Sequence, residues 1–208
     1  MVKPETRTGK SYHHGDLKEA LLRASLELVD EKGPHGFTLA EVCRKAGVSV
    51  AAPYRHYRDK EALLAAIATA GFELYHDQLA RALEQSEDKT FKGLTTLART
   101  YVRFAIANPP RYRVMFSSDL SKAKFPELYA TARRAFDVVF CTVENCLIAS
   151  NKSTENTYVL SLLIWSHCHG IATLCVDGFL REIAVEEQVD HLIDLAVESF
   201  TNKIHGSP

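Results

Sequence analysis

The sequence predicts an all-α chain, and three observations carry that expectation. Apolar residues recur at three- and four-residue spacing through most of the chain. Gly, Pro and polar clusters interrupt this spacing where helices would stop. No segment makes a convincing strand. At 208 residues with 46% hydrophobic content, the chain has ample material for a buried core, as one large domain or two smaller ones.

The elements follow in order. Met1 to Lys10 is polar, and its Lys3, Arg7 and Lys10 read as a solvated tail before a reach toward a minor groove. Helix one runs from Asp16 as cap to about Lys32, with Leu17, Ala20, Leu21, Ala24 and Leu28 on one face. Gly33-Pro34-His35-Gly36 breaks it. Thr38 caps the next helix, and Glu41 completes a capping box. Leu39, Val42, Cys43 and Ala46 give that helix its inner face, and Gly47 is placed to end it in a left-handed conformation. Val48 anchors the turn, Ser49 caps a second short helix, and Ala51 to Tyr57 continue it. Pro53 falls in that helix's first turn, where a missing N–H costs least. Asp59 caps a long helix from Lys60 to about Leu83.

The remaining elements are longer. After the polar break Glu87-Asp88-Lys89, a helix runs from Phe91 to Ala107 and stops at Asn108-Pro109-Pro110. A short helical piece spans Tyr112 to Phe116, and a loop continues through Lys124. Another helix runs from Pro126 to about Ala149, with a stripe that includes Leu128, Ala132, Ala135, Phe136, Val139 and Phe140. Asn156 to Val176 has no charged side chain and is about long enough to span a bilayer. Its Asn, Ser, His and Thr residues argue for burial in protein and against a membrane. The last helix runs from about Val185 to Lys203. These two helices carry more apolar surface than one chain can cover, which predicts a homodimer through a four-helix seam.

Two short helices joined by a Gly-containing turn, Thr38 to Tyr57, make a helix-turn-helix pattern, so the first third is expected to read double-stranded DNA. The residues around it carry a family resemblance. His13 to Leu22 (HHGDLKEALL), Phe37 to Ser49 (FTLAEVCRKAGVS) and Tyr54 to Leu64 (YRHYRDKEALL) resemble the DNA-binding domain of TetR-family transcriptional regulators. Trp165, His169 and Gly170 are similar to the W…HG trio of one subgroup's ligand domain. Pro53 departs from the helix former usual at its position. The resemblance implies a three-helix DNA-binding domain over residues 1–62 and a larger helical ligand-binding and dimerisation domain over residues 63–208.

It also implies roles. Thr38, Ser49, Tyr54, Tyr57 and Lys60 are the expected phosphate contacts. Val50, Ala51, Pro53 and Arg55 are the expected base-edge neighbours, and Tyr57 is alternatively a buttress for helix one. The paired reading helices of a dimer would recognise a near-palindromic operator. A small-molecule effector would occupy an apolar pocket lined by Tyr101, Phe104, Met115, Phe116, Phe136, Phe140 and Trp165, with His169 as polar handle. The implied activity is that of a repressor released from its operator by that ligand.

Composition bounds the alternatives. With 25 basic and 26 acidic residues, the chain as a whole has no electrostatic pull toward nucleic acid. Residues 1–62 hold 11 basic and 9 acidic side chains, so phosphate contacts are expected to stay local. Five cysteines, an odd number, with no signal peptide, predict a reducing cytoplasm. His167 and His169 lie about 200° apart on a helix and cannot share one metal ion. No metal or cofactor is expected. No hydrolase, zincin, phosphate-loop or dinucleotide motif is present, so catalysis is not expected. Two other readings remain open: a small helical enzyme or carrier using a Trp165/His169 cavity, and a regulator sensing oxidant or metal through cysteines.

Overall fold

The computed structural model describes residues 14–117 and 119–205. The expected tail, Met1 to Lys10, lies outside them. Among the described residues there are nine α-helices and no strand. The chain divides into two compact units, Met1–Leu64 and Ala65–Pro208.

The first unit contains α1 (His14–Lys32), α2 (Leu39–Ala46), a 3-10 turn at Pro53–Arg55 and the start of α3 (Lys60–Gln85). Helix α1 is already formed at His14, the first described residue, so Asp16 lies within the helix and not at its cap position. Helix ends are set by a residue or two of local balance, which periodicity does not resolve. Leu17, Leu21, Ala24, Leu28 and Val29 are buried, together with Val42 and Cys43 of α2. The break between the helices needs its glycines for different reasons. Gly33 holds φ +73°, and at Gly36 a β-carbon would lie 2.2 Å from the Lys32 carbonyl oxygen. Lys45 of α2 reaches Glu31 of α1 at 2.6 Å.

One expectation fails here. The second reading helix is not a helix of several turns but the single 3-10 turn at Pro53–Arg55. Proline has no N–H to bond the carbonyl four residues back, so it can only begin a helix. Ala52 N donates to Ser49 O instead, at 3.0 Å, and the turn closes through His56 N and Tyr57 N on Pro53 O, both at 2.8 Å. Asp59 then caps α3 by accepting from Ala62 N at 2.7 Å, which leaves room for no second turn.

The second unit holds the rest of α3, then α4 (Phe91–Ala107), α5 (Pro109–Met115), α6 (Pro126–Ala149), α7 (Thr157–Val176), α8 (Phe179–Glu182) and α9 (Val189–His205). Helix α4 is central and packs against α5, α6, α7 and α9. Its Leu94, Leu97, Val102 and Ala105 are buried, as are Ile164, Cys168 and Ala172 of α7 and Ile193, Val197 and Phe200 of α9. Arg99 donates two bonds to Asp194 of α9, at 2.7 and 2.8 Å. The polar break before α4 is a cap: Asp88 accepts from Thr90 N at 2.8 Å and Lys92 N at 3.2 Å.

Two boundaries differ from expectation. Pro109 and Pro110 start α5 as well as ending α4, since proline suits the first turn of a helix. The last helix begins at Val189, because Gly178, at φ +80°, turns the chain into the short α8 and a 3-10 turn at Glu186–Gln188 comes first. Helix α7 is long and apolar enough to span a bilayer, yet it packs against α4, α6 and α9. Its outward face shows Val159 and Leu174, and α9 shows Leu195.

Candidate functional site

Two sites emerge, one in each unit. In the first, α2 is fixed by its cap. Thr38 N donates to Glu41 Oε2 at 2.8 Å, and Glu41 N donates to Thr38 Oγ1 at 3.3 Å. Lys32 Nζ adds a bond to Glu41 Oε1 at 2.6 Å. The Lys32 bond, joined by those from Thr38, holds the Glu41 carboxyl down to about 2. Gly47 closes the helix at φ +68°, its N–H on Arg44 O and Val48 N on Cys43 O.

This frame presents a short exposed segment. Ser49, Val50, Ala51, Tyr54 and Arg55 are all exposed, Tyr54 by 59% and Val50 by 57%. Thr38 is exposed too, with its hydroxyl committed to the cap. Pro53 and Tyr57 are buried and face inward, and the Tyr57 hydroxyl finds no hydrogen-bond partner among the described residues. Burial sets Tyr57 apart from the exposed Tyr54 and Arg55 beside it. Lys60 Nζ donates to Phe37 O at 2.7 Å and His35 O at 3.3 Å, and lies 4.3 Å from the Phe37 ring centre. It ties the α1–α2 turn to the start of α3.

The second site is a cavity of about 740 Å³ in the Ala65–Pro208 unit. That volume is within the range of pockets for small organic ligands, roughly 300–1,000 Å³. Of the residues expected to line it, Met115, Phe116, Phe136 and Trp165 do. Tyr101 and Phe104 are buried in the packed layer beside it, and Phe140 is half-buried on α6 without lining it. His169 is also off its wall. The His169 Nδ1 lies 2.7 Å from the Tyr101 hydroxyl and 2.9 Å from that of Tyr112, and Tyr112 also reaches Thr173 Oγ1 at 3.0 Å. Burial lowers the pKa of His169 from its usual value, which favours a neutral ring that bonds to phenols. Burial likewise pushes Tyr101 and Tyr112 up, so both remain protonated.

The histidine is the hub of an aromatic layer where α4, α5 and α7 meet. Its ring centre is 4.7 Å from that of Phe116 and 5.2 Å from that of Trp165. Trp165 lies between this packed layer and the open cavity. Sequence reasoning missed Phe72 and Tyr75 on α3, Leu120 and Lys122 on the loop, Tyr129 and Arg133 on α6, and Tyr158 and Leu162 on α7. Tyr129, Arg133 and Phe136 share one helical face by spacing, which is a legible signal. Nothing in spacing says whether such a face meets a neighbour or an open volume.

Four of the five cysteines are at least partly buried, and Cys141 is exposed. Burial pushes the thiols of Cys146 and Cys168 up to about 12, far from the thiolate that reacts with oxidants. It also raises those of Cys43 and Cys175. Among the described residues, no three His, Cys, Asp or Glu side chains converge as a metal site.

Two family models match the chain. "Bacterial regulatory proteins, tetR family" covers residues 21–67, and "Tetracyclin repressor-like, C-terminal domain" covers residues 94–200. The chain is 27% identical over 181 residues to the uncharacterized HTH-type transcriptional regulator YobS of Bacillus subtilis (strain 168), covering 86% of this chain and 90% of that one. A protein of unknown function from Rhodococcus sp. RHA1 has a similar structure, with a TM-score of 0.79 at 28% identity over 95% of this chain and 100% of that one. The TetR-family regulator PfmR from Thermus thermophilus shares the fold, with a TM-score of 0.68 at 20% identity over 86% and 97% of the two chains.

Proposed function

This chain belongs to the TetR family of bacterial regulatory proteins, whose members are DNA-binding transcriptional repressors controlled by small-molecule ligands, and from that premise we propose how its own residues divide the work. Tyr54 and Arg55 are the principal DNA contacts, Arg55 toward a guanine edge and Tyr54 toward a phosphate. Val50 and Ala51 let the turn approach the groove, with Ser49 beside them on the backbone. The observation that carries this is the pairing of an exposed Tyr54–Arg55 turn with a rigidly capped α2. Thr38, Pro53, Tyr57 and Lys60 act mainly by holding that turn in place.

One such turn reads few base pairs, so two are required. The uncovered apolar faces of α7 and α9 are the proposed homodimer seam, and the two-fold axis makes the operator a near-palindrome. The cavity of the Ala65–Pro208 unit is the proposed effector site. Its ligand acts only through a difference in affinity between the DNA-competent and released states. Helix α3 is common to both units and is the natural carrier of that difference. The protein works in the cytoplasm, where its DNA is, and family members are typically not enzymes.

Fluorescence anisotropy with DNA flanking the gene tests the reader. Replacing Tyr54 and Arg55 together by Ala is expected to weaken specific binding by about tenfold to a hundredfold. The unfolding midpoint should stay the same, because both side chains are exposed. Undiminished specific binding by this variant would overturn the assignment.

A further inference from the structure

We infer that the cavity takes an amphipathic monoanion, a molecule with an apolar body and one carboxylate-like head, in preference to a neutral or cationic ligand. This rests on reading the cavity as the effector site. The wall is mainly aromatic and aliphatic, so the body of the ligand must be apolar. An aromatic wall by itself also suits a cation, through the negative faces of its rings. The charged residues decide against that. Lys122 and Arg133 line the cavity, and among the described residues no Asp or Glu does.

Both basic groups have donors to spare. Arg133 gives its Nε to Asp137 Oδ1 at 2.6 Å, while its two terminal nitrogens make no hydrogen bond among the described residues. Its guanidinium lies 6.0 Å from the ring centres of both Phe136 and Tyr158, so those rings already satisfy the site's appetite for a cation from within. Asp137 offsets part of the Arg133 charge but does not itself line the cavity. Lys122 has no carboxylate partner among the described residues. A carboxylate can therefore gain charge-assisted bonds from the guanidinium fork or the ammonium. A ligand ammonium would meet two like charges and no counter-charge on the wall.

The chain's single tryptophan, Trp165, lines the cavity and reports its occupancy directly. The test is a titration of Trp165 fluorescence with three probes of equal chain length, each below its micellar concentration: dodecanoate, dodecan-1-ol and dodecyltrimethylammonium. Dodecanoate is expected to bind about tenfold or more tightly than the alcohol, with the cation weakest. The doubly neutralised variant K122Q/R133Q should lose that preference to within about twofold, while K122R/R133K keeps it. Far-UV circular dichroism confirms that each variant is folded. Equal binding of acid and alcohol, tighter binding of the cation, or a preference that survives K122Q/R133Q would overturn the anion inference and leave the cavity reading standing. No response of Trp165 to any probe would overturn both.

Discussion

The two units reach a defined structure by different means. In Met1–Leu64 the decisive features are local: a capping box at Thr38 and Glu41, a left-handed Gly47, a glycine at position 36 where a β-carbon would press on the Lys32 carbonyl oxygen, and a proline that limits a helix to one turn. In Ala65–Pro208 they are long-range: a central α4 wrapped by α5, α6, α7 and α9, and a histidine bonded to phenols from two other helices. The lesson concerns function as much as stability. A reader that must present few side chains at fixed pitch suits rigid local geometry. A ligand domain suits a core of interchangeable apolar contacts, because such a core can leave a cavity open beside a packed layer.

The contrast can be broken by substitution. The largest effect is expected from Ile164→Ala, which removes a fully buried side chain of α7 and should cost about 2–5 kcal/mol. Urea unfolding followed at Trp165 measures it, and a cost below about 1 kcal/mol would show that α7 can collapse onto the gap. Gly36→Ala comes next, at about 1–3 kcal/mol, since its β-carbon would press on the Lys32 carbonyl oxygen. Hydrogen exchange should show faster opening at Val42 and Cys43 and no change along α4 and α7. Equal loosening in both units would mean that the chain unfolds as one cooperative body.

Acid sharpens the comparison with the smallest effect. His169 has a folded pKa lowered by burial, so the unfolded chain takes up its proton first. Its share of stability is complete above the ordinary histidine value and falls as pH drops from there. Glu41, held down to about 2, contributes above the ordinary carboxylate value and loses that contribution only as pH falls toward 2. Urea midpoints of His169→Gln should therefore be less sensitive than the parent's between about pH 7 and 5, given the ordinary value near 6.5. Those of Glu41→Gln should differ from the parent's pH response only below about pH 4.5. Glu41 is only partly buried and its partner Lys32 is open to solvent, so its effect is expected to be slight. A parent and His169→Gln with parallel pH curves would remove the histidine from the account.

The reader is legible because its signals are written in adjacent residues. Thr38 with Glu41, Gly47 and Asp59 each specify a backbone geometry by their own chemistry. The exception is instructive. Pro53 is visible in the sequence, and so is its tolerance in a first turn. Its consequence depends on how few residues remain before Asp59 caps α3, and so on two local rules acting together. Tyr57 and Lys60 show a second limit. Donor chemistry marks a residue as able to touch phosphate, and spacing does not reveal that Tyr57 is buried or that Lys60 bonds to the carbonyls of His35 and Phe37.

In the ligand unit the aromatic residues are recognisable as a group, and Phe116, Phe136 and Trp165 line the cavity together with Met115. Tyr101, Phe104 and His169 differ from these four in nothing that sequence displays. Helical spacing, with the Gly, Pro and capping signals that interrupt it, determined that the chain is all-α and roughly where its longer helices lie, because those properties repeat with the period of a single helix. Which inward faces pack together, and which surround an open volume flanked by Lys122 and Arg133, was decided only in three dimensions. The reason is that a cavity is the space left between several helices, and its shape depends on how side chains from α3, α5, α6 and α7 fit one another.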